Sequence, residues 1–310
     1  MPRPDLPRCA LSRRRTALAL AVLAGVLMLL LPGCGGSSSP SRPVAAAGAP
    51  AGVAHTEGAG TDVPVAQGSP AAATGATPES SAVRSLIALG KPIYCAAPRG
   101  DEVALTFDDG PGPYTQLVMK KLRLHRAGAT FFDVGRNIDL VAGATRRERA
   151  LGALGDHTFT HPLLTSLAPA EAESEIARTQ SALERSSGGP VFLFRPPYGA
   201  HDPAIDSIVQ AHGMLEILWT IDSADSLGAN YAQIERNVIG GLRGGAIILM
   251  HENHGQTVRA LPNIFGAIRS RHLRAVSVAQ LLTDDTPSVA QVRGGGAACG
   301  IRGRAGLSGG

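Results

Sequence analysis

Two adjacent carboxylates lie in residues 106–111, which read TFDDGP. They follow the apolar residues 103–105, and this pattern predicts a short buried strand that ends at Asp108 and Asp109. Neighbouring carboxylates repel each other, so a bound cation would lower the electrostatic cost of placing them side by side. One acid would then be available for proton transfer. The alternative is a simple turn, because Asp, Gly and Pro are common turn residues. This stretch alone leaves both interpretations open.

A second pair of chemically active side chains comprises His157 and His161, the first and last residues of the stretch HTFTH. On a helical turn, this spacing places both imidazoles on one face, where they can bind one metal ion. Two unrelated surface histidines would give the same pattern. Asp109 could complete a set of two imidazoles and one carboxylate. Such a set leaves coordination positions open for water and substrate, as in a catalytic zinc site.

Strand-like and helix-like segments alternate along the chain and would have to position these side chains. Strands are predicted at 103–107, 129–134, 191–194, 215–219, 246–249 and 275–278, with a weaker one before residue 157. Helices are predicted at 114–126, 169–186, 203–212, 231–239 and 259–271. The alternation predicts an α/β fold with a parallel sheet and helices outside it, as a barrel or as an open sheet.

Polar residues follow the predicted strands at their carboxyl ends. They are Asp108, Asp109, His157, His161, Arg195, Asp222, Asp225 and His251. Barrel enzymes keep their active sites at this end of the strands. The distribution of these residues therefore favours a barrel over an open sheet. A hydrolase with a serine nucleophile is not supported, because no Gly-x-Ser-x-Gly elbow joins a predicted strand to a predicted helix.

Five motifs occur in the order typical of polysaccharide deacetylases of the NodB-homology type, carbohydrate esterase family four. They are TFDDGP at 106–111, HTFTH at 157–161, RPPYG at 195–199, DSAD at 222–225 and LMH at 249–251. The chain resembles this family over about residues 101–284. The resemblance implies a distorted (β/α)7 barrel related to the TIM barrel. It also implies hydrolysis of N-acetyl groups on N-acetylglucosamine residues of a polysaccharide.

The resemblance further implies the roles of the residues that would perform the reaction. Asp109, His157 and His161 correspond to the family's ligands for a divalent metal, which is usually zinc. Asp108 corresponds to its catalytic base, and His251 corresponds to its general acid.

Five more positions match residues that support the reaction in this family. Arg195 would orient the base, and Asp225 would tune the acid. The backbone N–H of Tyr198 would help to hold the oxyanion. Trp219 and Leu249 would line the acetyl pocket or its wall.

One position departs from the family's pattern and leaves the substrate open. Ser226 follows Asp225 where the family usually has a tryptophan that walls the groove. Peptidoglycan is the favoured polymer, and chitin-type oligomers come next. An esterase that removes O-acetyl groups from xylan or wall sugars is the alternative. A non-catalytic wall-binding lipoprotein ranks lowest, because none of the proposed ligands, base and acid is missing.

The first 34 residues have the plan of an export signal, with a basic start, an apolar run at 16–31 and Cys34 as a candidate lipidation site. Residues 12–15 also resemble a twin-arginine signal. An uncleaved membrane anchor is the third alternative. All three predict an exported protein at the outer face of the cytoplasmic membrane, in the cell wall or secreted.

Low-complexity stretches surround the predicted catalytic domain. Residues 35–90 are mainly small or polar and predict a disordered linker, because they cannot bury enough apolar surface to order themselves. The glycine-rich stretch at 285–310 is expected to be a disordered tail. Cys95 and Cys299 flank the motifs and could form a disulfide in an oxidising compartment. Two free thiols are the alternative.

The formal net charge of +4 does not indicate a nucleic-acid partner. It arises from five arginines and one aspartate before residue 16, so the rest of the chain is formally neutral. The expected partners are a polysaccharide substrate and a membrane, the latter through a lipid or an N-terminal anchor. The sequence does not indicate the oligomeric state.

Overall fold

The structure, a computed structural model, describes residues 80–301, all within one compact unit. Its strands are β1 (Glu102–Gly110), β2 (Ala129–Asp133), β3 (Gly152–Asp156), β4 (Leu193–Phe194), β5 (Leu215–Glu216), β6 (Ile221–Asp222), β7 (Ile247–His251) and β8 (Arg274–Val276). Its α-helices are α1 (Ser81–Ile87), α2 (Thr115–His125), α3 (Ala144–Arg149), α4 (Pro169–Ser187), α5 (Pro203–Ala211), α6 (Tyr231–Gly241), α7 (Gly255–Ser270), α8 (Val278–Asp284), α9 (Val289–Arg293) and α10 (Gly295–Ala298). Short 3-10 helices lie at Gly135–Asn137, Leu164–Ser166 and Pro197–Gly199.

Strand β1 is the centre of the sheet. It pairs in parallel with β2 on one side and β7 on the other, and its first residues also pair with β8. The strand order is β5-β4-β3-β2-β1-β7-β6. Because each of these ladders is parallel, the carboxyl ends of the strands meet at one edge of the sheet.

The segment at 93–96 partly closes the gap between the two ends of this strand order. Ile93 forms a parallel bridge with Ile217, which follows β5. Cys95 forms an antiparallel bridge with Ala246, which precedes β7. The sheet therefore forms an incomplete barrel with helices around it. The prediction of a distorted (β/α)7 barrel is confirmed.

Aromatic packing fixes the strands that carry the first motif. The rings of Phe107 in β1 and Phe131 in β2 stack with centroids 5.7 Å apart, and both side chains are fully buried. Burying a side chain of this size stabilises the fold by about 1.5–3 kcal/mol. The residue after Phe107 is Asp108, so the first acid of the motif extends from a rigid part of the core.

Capping side chains explain where two of the predicted helices begin. The Asn230 side chain accepts from the Gln233 N–H at 3.0 Å, and the Gln233 side chain accepts from the Asn230 N–H at 2.9 Å. This reciprocal capping box starts α6. Asp202 accepts from the N–H groups of Ala204 and Ile205, both at 2.9 Å, and starts α5.

The strand predicted at 215–219 is wrong in its extent, because only β5 forms there and β6 follows separately. The reason is a side chain from the preceding strand end. Arg195 donates from Nε to the carbonyl of Ile217 at 3.0 Å and from Nη2 to the carbonyl of Leu218 at 3.4 Å. These carbonyls bond a guanidinium group, and Trp219 lies outside the strands.

The strand predicted at 275–278 is also too long, because Val278 is the first residue of α8. The Ser277 hydroxyl accepts from the Gln280 N–H at 3.2 Å and caps this helix. Helix α3 is a further element that the sequence did not predict. It is short and arginine-rich, and no side chain caps its start. The sequence therefore carried no clear signal for α3.

Helices form beyond both predicted limits of the domain. The predicted disorder is therefore wrong for the end of the linker and for the start of the tail. Helix α1 lies inside the stretch 35–90, and helices α9 and α10 lie inside 285–310. Val83 and Leu86 of α1 are buried in a cluster that includes Val292 of α9. A few apolar residues in each stretch therefore pack together, although the average composition of the two stretches is polar and small.

The predicted signal segment, Cys34 and most of the predicted linker lie outside the described residues. Their assignments remain predictions. In the part of the chain that the structure describes, none of the helices has both the length and the apolar character needed to cross a bilayer.

A disulfide joins Cys95 to Cys299, with the two Cα atoms 5.9 Å apart and 204 positions between them in the sequence. Closing so long a loop restricts the unfolded chain, which stabilises the fold by about 3–5 kcal/mol. We expect the double variant Cys95→Ala/Cys299→Ala to lose about this free energy of unfolding in urea denaturation. The oxidised and the reduced wild-type chain are the matched controls. A loss below about 1 kcal/mol would contradict this account.

Candidate active site

The candidate site lies at the carboxyl ends of the parallel strands. Strand register pairs Asp108 of β1 with His251 of β7. His157 directly follows β3, and Arg195 directly follows β4. The fold thus brings together side chains from four strand ends that are far apart in the sequence.

Asp109, His157 and His161 are arranged as a metal-ligand set. Oδ1 of Asp109 lies 3.6 Å from Nε2 of His157 and 3.3 Å from Nε2 of His161. Ligand atoms about 2.0–2.2 Å from one ion stand about 3–3.5 Å from each other. The observed spacing therefore fits a single divalent cation. Two imidazoles and one carboxylate form a donor set that suits zinc and similar metals.

The two histidines are held in the state that metal binding requires. Nδ1 of His157 donates to the carbonyl oxygen of Arg195 at 2.7 Å, which assigns the proton to Nδ1 and leaves the lone pair on Nε2. Burial lowers the pKa of His161, and the neighbouring His157 lowers it further. A neutral imidazole can bind a metal without first losing a proton.

Asp109 is oriented by its backbone and by two amides. It has a φ of 69°, in the left-handed region that Asp tolerates better than most residues. The side-chain amides of Asn253 and Asn137 donate to its Oδ2 and to its carbonyl oxygen, each at 3.1 Å. Burial would raise the pKa of Asp109, but the nearby histidines and the Asn253 amide outweigh it and lower the pKa. Oδ1 is left to face the imidazoles.

Residues 157–161 form a loop, so the predicted helical turn is wrong. Thr158 and His161 have φ values of 63° and 64°. Asp156 accepts from the Thr158 N–H at 2.8 Å, and the Thr158 hydroxyl accepts from the His161 N–H at 3.1 Å. These bonds bend the chain so that the imidazoles of His157 and His161 approach with ring centroids 4.9 Å apart. A tight hydrogen-bonded loop, and not a helical turn, therefore brings the two imidazoles together.

Asp108 is anchored by a buried arginine. Nη1 of Arg195 donates at 2.7 Å to Oδ1 of Asp108 and also at 2.7 Å to the Thr106 hydroxyl. Arg195 is fully buried, and Asp108 is 2% exposed. Oδ2 of Asp108 lies 3.8 Å from Nε2 of His157. One carboxylate oxygen is therefore fixed by Arg195, and the other faces the ligand set.

His251 is paired with Asp225 through two bonds. Its Nδ1 lies 2.7 Å from Oδ1 of Asp225, and its backbone N–H donates to Oδ2 at 2.8 Å. The hydroxyl of Thr257 and the backbone N–H of Ser226 also donate to the Asp225 carboxylate. Asp225 therefore has four donors and a single well-defined orientation.

This pairing sets the proton affinities of both groups. Burial would raise the pKa of Asp225, but the bonds from His251 and Thr257 outweigh it and lower the pKa to about 2. Burial would lower the pKa of His251, but the hydrogen bond and charge of Asp225 outweigh it and raise the pKa to about 9. At neutral pH, His251 is a cation that can donate a proton from Nε2.

The predicted oxyanion residue, Tyr198, and the two predicted pocket residues, Trp219 and Leu249, lie on or after strands of the same sheet. Tyr198 has a φ of 64°, and its ring contacts His161 edge-on with centroids 4.8 Å apart. Trp219 packs against Gly199, where an added Cβ would come within 2.7 Å of the indole. Leu249 of β7 is buried and pairs in register with Thr106. Tyr198 is therefore beside a proposed ligand, while Trp219 supports its loop.

Four side chains that orient the site were given no role by the sequence. They are Thr106, Asn137, Asn253 and Thr257. Thr106 belongs to the first motif and Asn253 lies two positions after His251, so both have a usable sequence signal. Asn137 and Thr257 come from separate elements, and only the fold brings them to their partners.

A group of buried acids behind the strand ends was also missed. Asp133, Glu148 and Glu252 are fully buried, and their carboxylates lie close to one another. Burial is the main cause that raises the pKa of each of them, and their mutual repulsion adds to it for Glu148 and Glu252. Their raised pKa values contrast with the lowered pKa values of Asp109 and Asp225.

Comparison with known proteins gives a family for this arrangement. A family model described as polysaccharide deacetylase matches residues 96–217. A solved family 4 carbohydrate esterase from Streptomyces lividans, in complex with acetate, is 35% identical with a TM-score of 0.55. The match covers 57% of this chain and 92% of that one.

Curated relatives include deacetylases of different polysaccharides. The chain is 34% identical to a chitooligosaccharide deacetylase from Azorhizobium caulinodans, with 54% of this chain and 89% of the relative covered. It is 33% identical to the peptidoglycan-N-acetylglucosamine deacetylase PgdA of Listeria monocytogenes, with 58% and 38% covered. It is 33% identical to a bifunctional xylanase/xylan deacetylase from Cellvibrio japonicus, with 55% and 26% covered.

The chain thus spans 26% of the Cellvibrio relative and 38% of the Listeria relative, but 89% of the Azorhizobium relative and 92% of the Streptomyces structure. The family-model match covers strands β1 to β5 and the strand ends that carry Asp108, Asp109, His157 and Arg195. On this similarity and on the shared fold, the chain belongs to the polysaccharide deacetylase family, with a NodB-homology domain of carbohydrate esterase family four.

Proposed function

We propose that the chain is a metal-dependent hydrolase that removes N-acetyl groups from N-acetylglucosamine residues of an exported polysaccharide. One observation carries the proposal. A carboxylate, Asp108, and a protonated imidazole, His251, occupy paired positions on neighbouring strands beside the ligand set. Amide hydrolysis needs both a proton acceptor and a proton donor near the activated carbonyl.

The ligand set fits the metal that this reaction requires. Asp109, His157 and His161 would hold a divalent cation, and zinc is the metal we propose. When bound there, a divalent cation supplies Lewis-acid activation of the acetyl carbonyl and of a nearby water.

Asp108 is the proposed base. Its Oδ2 would accept a proton from the attacking water, while Arg195 holds Oδ1 at 2.7 Å and keeps the carboxylate in place. We assign the backbone N–H of Tyr198 to the developing oxyanion. Its position beside His161 supports this role.

His251 is the proposed acid. An amine leaves poorly without a proton, so the group that delivers the proton controls collapse of the tetrahedral intermediate. Asp225 holds Nδ1 of His251 and keeps the imidazole protonated at neutral pH. Nε2 is then free to donate to the departing nitrogen.

The substrate we favour is peptidoglycan, with chitin-type oligomers next. A Listeria relative is named for peptidoglycan N-acetylglucosamine, and an Azorhizobium relative is named for chitooligosaccharides. An exported lipoprotein with Cys34 as its lipid site and a tether from residue 35 would bring the domain to the cell wall.

A second candidate function is an O-acetyl esterase. The relative from Cellvibrio japonicus, named as a xylan deacetylase, specifically favours it. An alkoxide leaving group also accepts a proton from His251, so the same residues would serve both reactions. The non-catalytic wall-binding alternative ranks lowest, because the ligands, base and acid are all present.

Acetate release from defined substrates tests the proposal. We expect the purified full chain with zinc to release acetate from chitin oligomers or peptidoglycan, and a chelator to lower the rate by at least about 100-fold until zinc is restored. Acetylated xylan is the parallel substrate that separates ester from amide hydrolysis. Absence of acetate from every N- and O-acetylated glycan, with zinc or cobalt present, would overturn the function.

A further inference from the structure

A second group of metal-binding side chains lies at His201, Asp206 and Glu216, outside the residues of the candidate active site. Nδ1 of His201 is 2.9 Å from Oδ1 of Asp206 and 3.6 Å from Oε1 of Glu216. One ligand atom from each residue lies within 4.8 Å of the other two. These distances are close to the spacing of about 3–3.5 Å between ligands of one ion.

The buried carboxylate of Glu216 points to a missing ligand. The residue is 4% exposed, and neither of its side-chain oxygens has a hydrogen-bond partner among residues 80–301. Its carboxylate lies beside that of Asp206, which is 8% exposed. Two neighbouring carboxylates with no donor between them are unfavourable to bury. A cation bound to both would remove that cost.

The cationic side chains within residues 80–301 do not neutralise this pair. Nζ of Lys91 lies 3.9 Å from Oδ2 of Asp206, and this side chain is 53% exposed, so it is a weak surface contact. Nδ1 of His201 can hydrogen-bond Asp206, but it lies too far from Glu216 for a hydrogen bond. Burial raises the pKa of Glu216 well above its ordinary value, and Asp206 raises it further.

The surroundings allow an ion to enter and the imidazole to bind it. The His201 side chain is 24% exposed, so the group is open to solvent on that side. The hydroxyl of Tyr94 lies 3.4 Å from Nε2 of His201 and leaves Nδ1 facing the two acids. An outer hydrogen bond on the second ring nitrogen is the usual arrangement for a metal-binding histidine.

We propose that His201, Asp206 and Glu216 form a second divalent-cation site, distinct from the Asp109 set, that binds zinc or manganese. One imidazole and two carboxylates suit these metals better than calcium or magnesium, which take oxygen ligands alone. The proposal does not depend on the deacetylase activity.

The location of the site indicates a structural role. His201 lies three positions after Tyr198, Asp206 lies on α5, and Glu216 is the last residue of β5. An ion there would join the loop after β4 to both elements. It would thus stabilise the segment that carries Tyr198 beside the candidate active site.

Metal stoichiometry separates the two sites. After chelation and re-equilibration with zinc, we expect the full wild-type chain to retain two zinc ions per chain, measured by mass spectrometry of the metal. His201→Asn and Glu216→Gln should each retain one. Asp109→Ala should also retain one, at the second site. His212→Asn is the matched control, because this histidine is similarly exposed but its ring lies beside the exposed Glu173 at 3.7 Å and the Gln180 amide at 3.3 Å, and it should retain two.

Thermal unfolding gives an independent measurement. Zinc should raise the Tm of Asp109→Ala and should not raise that of Asp109→Ala/His201→Asn. His201 is the most exposed member of the group, so His201→Asn tests the site even where Glu216→Gln does not fold. One zinc ion in the wild type, or two that persist in His201→Asn, would overturn the proposal. Loss of activity with both ions retained would count against the proposed deacetylase chemistry only.

Discussion

Replacement of Asp108 with Asn is expected to lower kcat/KM for acetate release by about 1000-fold while zinc binding is retained. An amide has nearly the shape of the carboxylate but cannot accept a proton from water. Loss of a positioned general base typically costs about 10²–10⁴ in rate. Because Oδ1 of Asp108 contacts Arg195 and not the ligand set, the ligands themselves should stay in place.

The same substitution leaves Arg195 without its charged partner. Arg195 is fully buried, and breaking a buried ion pair costs about 3–5 kcal/mol. The carbonyl oxygen of Asn can still accept the Nη1 hydrogen bond, so we expect a loss near or below the lower end of this range. Urea denaturation and zinc content, measured on the same preparation, distinguish a folded inactive enzyme from an unfolded one.

Asp222→Asn is the matched control for Asp108→Asn. Asp222 is also an acid at a strand end of the same sheet, but it is exposed and lies on β6. The Asp222→Asn variant should keep the activity of the wild type. Substantial activity in Asp108→Asn would overturn the assignment of the base. Loss of zinc from a folded Asp108→Asn would instead make Asp108 a ligand, since its Oδ2 lies 3.8 Å from Nε2 of His157.

The parts of the fold that the sequence predicted well depend on local signals. Helices α5 and α6 begin where Asp202 and Asn230 place capping side chains. Strand β1 contains the apolar run at 103–105 because it is buried between neighbours on both sides. The order of polar residues after the strands was also readable, because parallel strands bring their carboxyl ends to one edge.

The parts that were missed depend on contacts between distant residues. Arg195 ends the strand after Glu216 by bonding two carbonyls, and no local pattern around residue 217 records that contact. The loop at 157–161 depends on Asp156 and Thr158, whose side chains replace the hydrogen bonds of a helical turn. Helix α1 is ordered through packing on α8 and α9, although its own composition resembles a linker.

Asp225→Asn is expected to move the alkaline limit of activity down by about two pH units or more. In the wild type, the pKa of His251 is about 9, so the acid stays protonated until the pH approaches that value. The substitution removes the hydrogen-bonded charge that raises this pKa most, and burial, which lowers the pKa, is then opposed only by the charges of Asp108 and Asp109. At pH 8, a pKa two units below 9 leaves about 10% of His251 protonated, which predicts a fall of about tenfold in rate.

The pH–rate profile from pH 5.5 to 10 measures this effect. The wild-type rate should fall only above about pH 9, and the Asp225→Asn rate should recover to within a few-fold of the wild type near pH 6. A purely structural role would lower the rate equally at all pH values and would contradict the assignment. Ser226→Ala is the matched control, because its bond to Asp225 comes from the backbone N–H and should persist.

The stability that Asp225→Asn loses relative to the wild type should also depend on pH. The pKa shifts of Asp225 and His251 set the direction of that dependence. The pKa of Asp225 is lowered to about 2, so its contribution is present above about pH 4 and is lost as the pH falls through 2. The pKa of His251 is raised to about 9, so its contribution is present below about pH 6.5 and is lost as the pH rises through 9. The Tm deficit of the variant should therefore be largest between about pH 4 and 6.5, where its activity is closest to the wild type. Opposite pH dependences of rate and stability in one variant would show that Asp225 acts through the proton on His251.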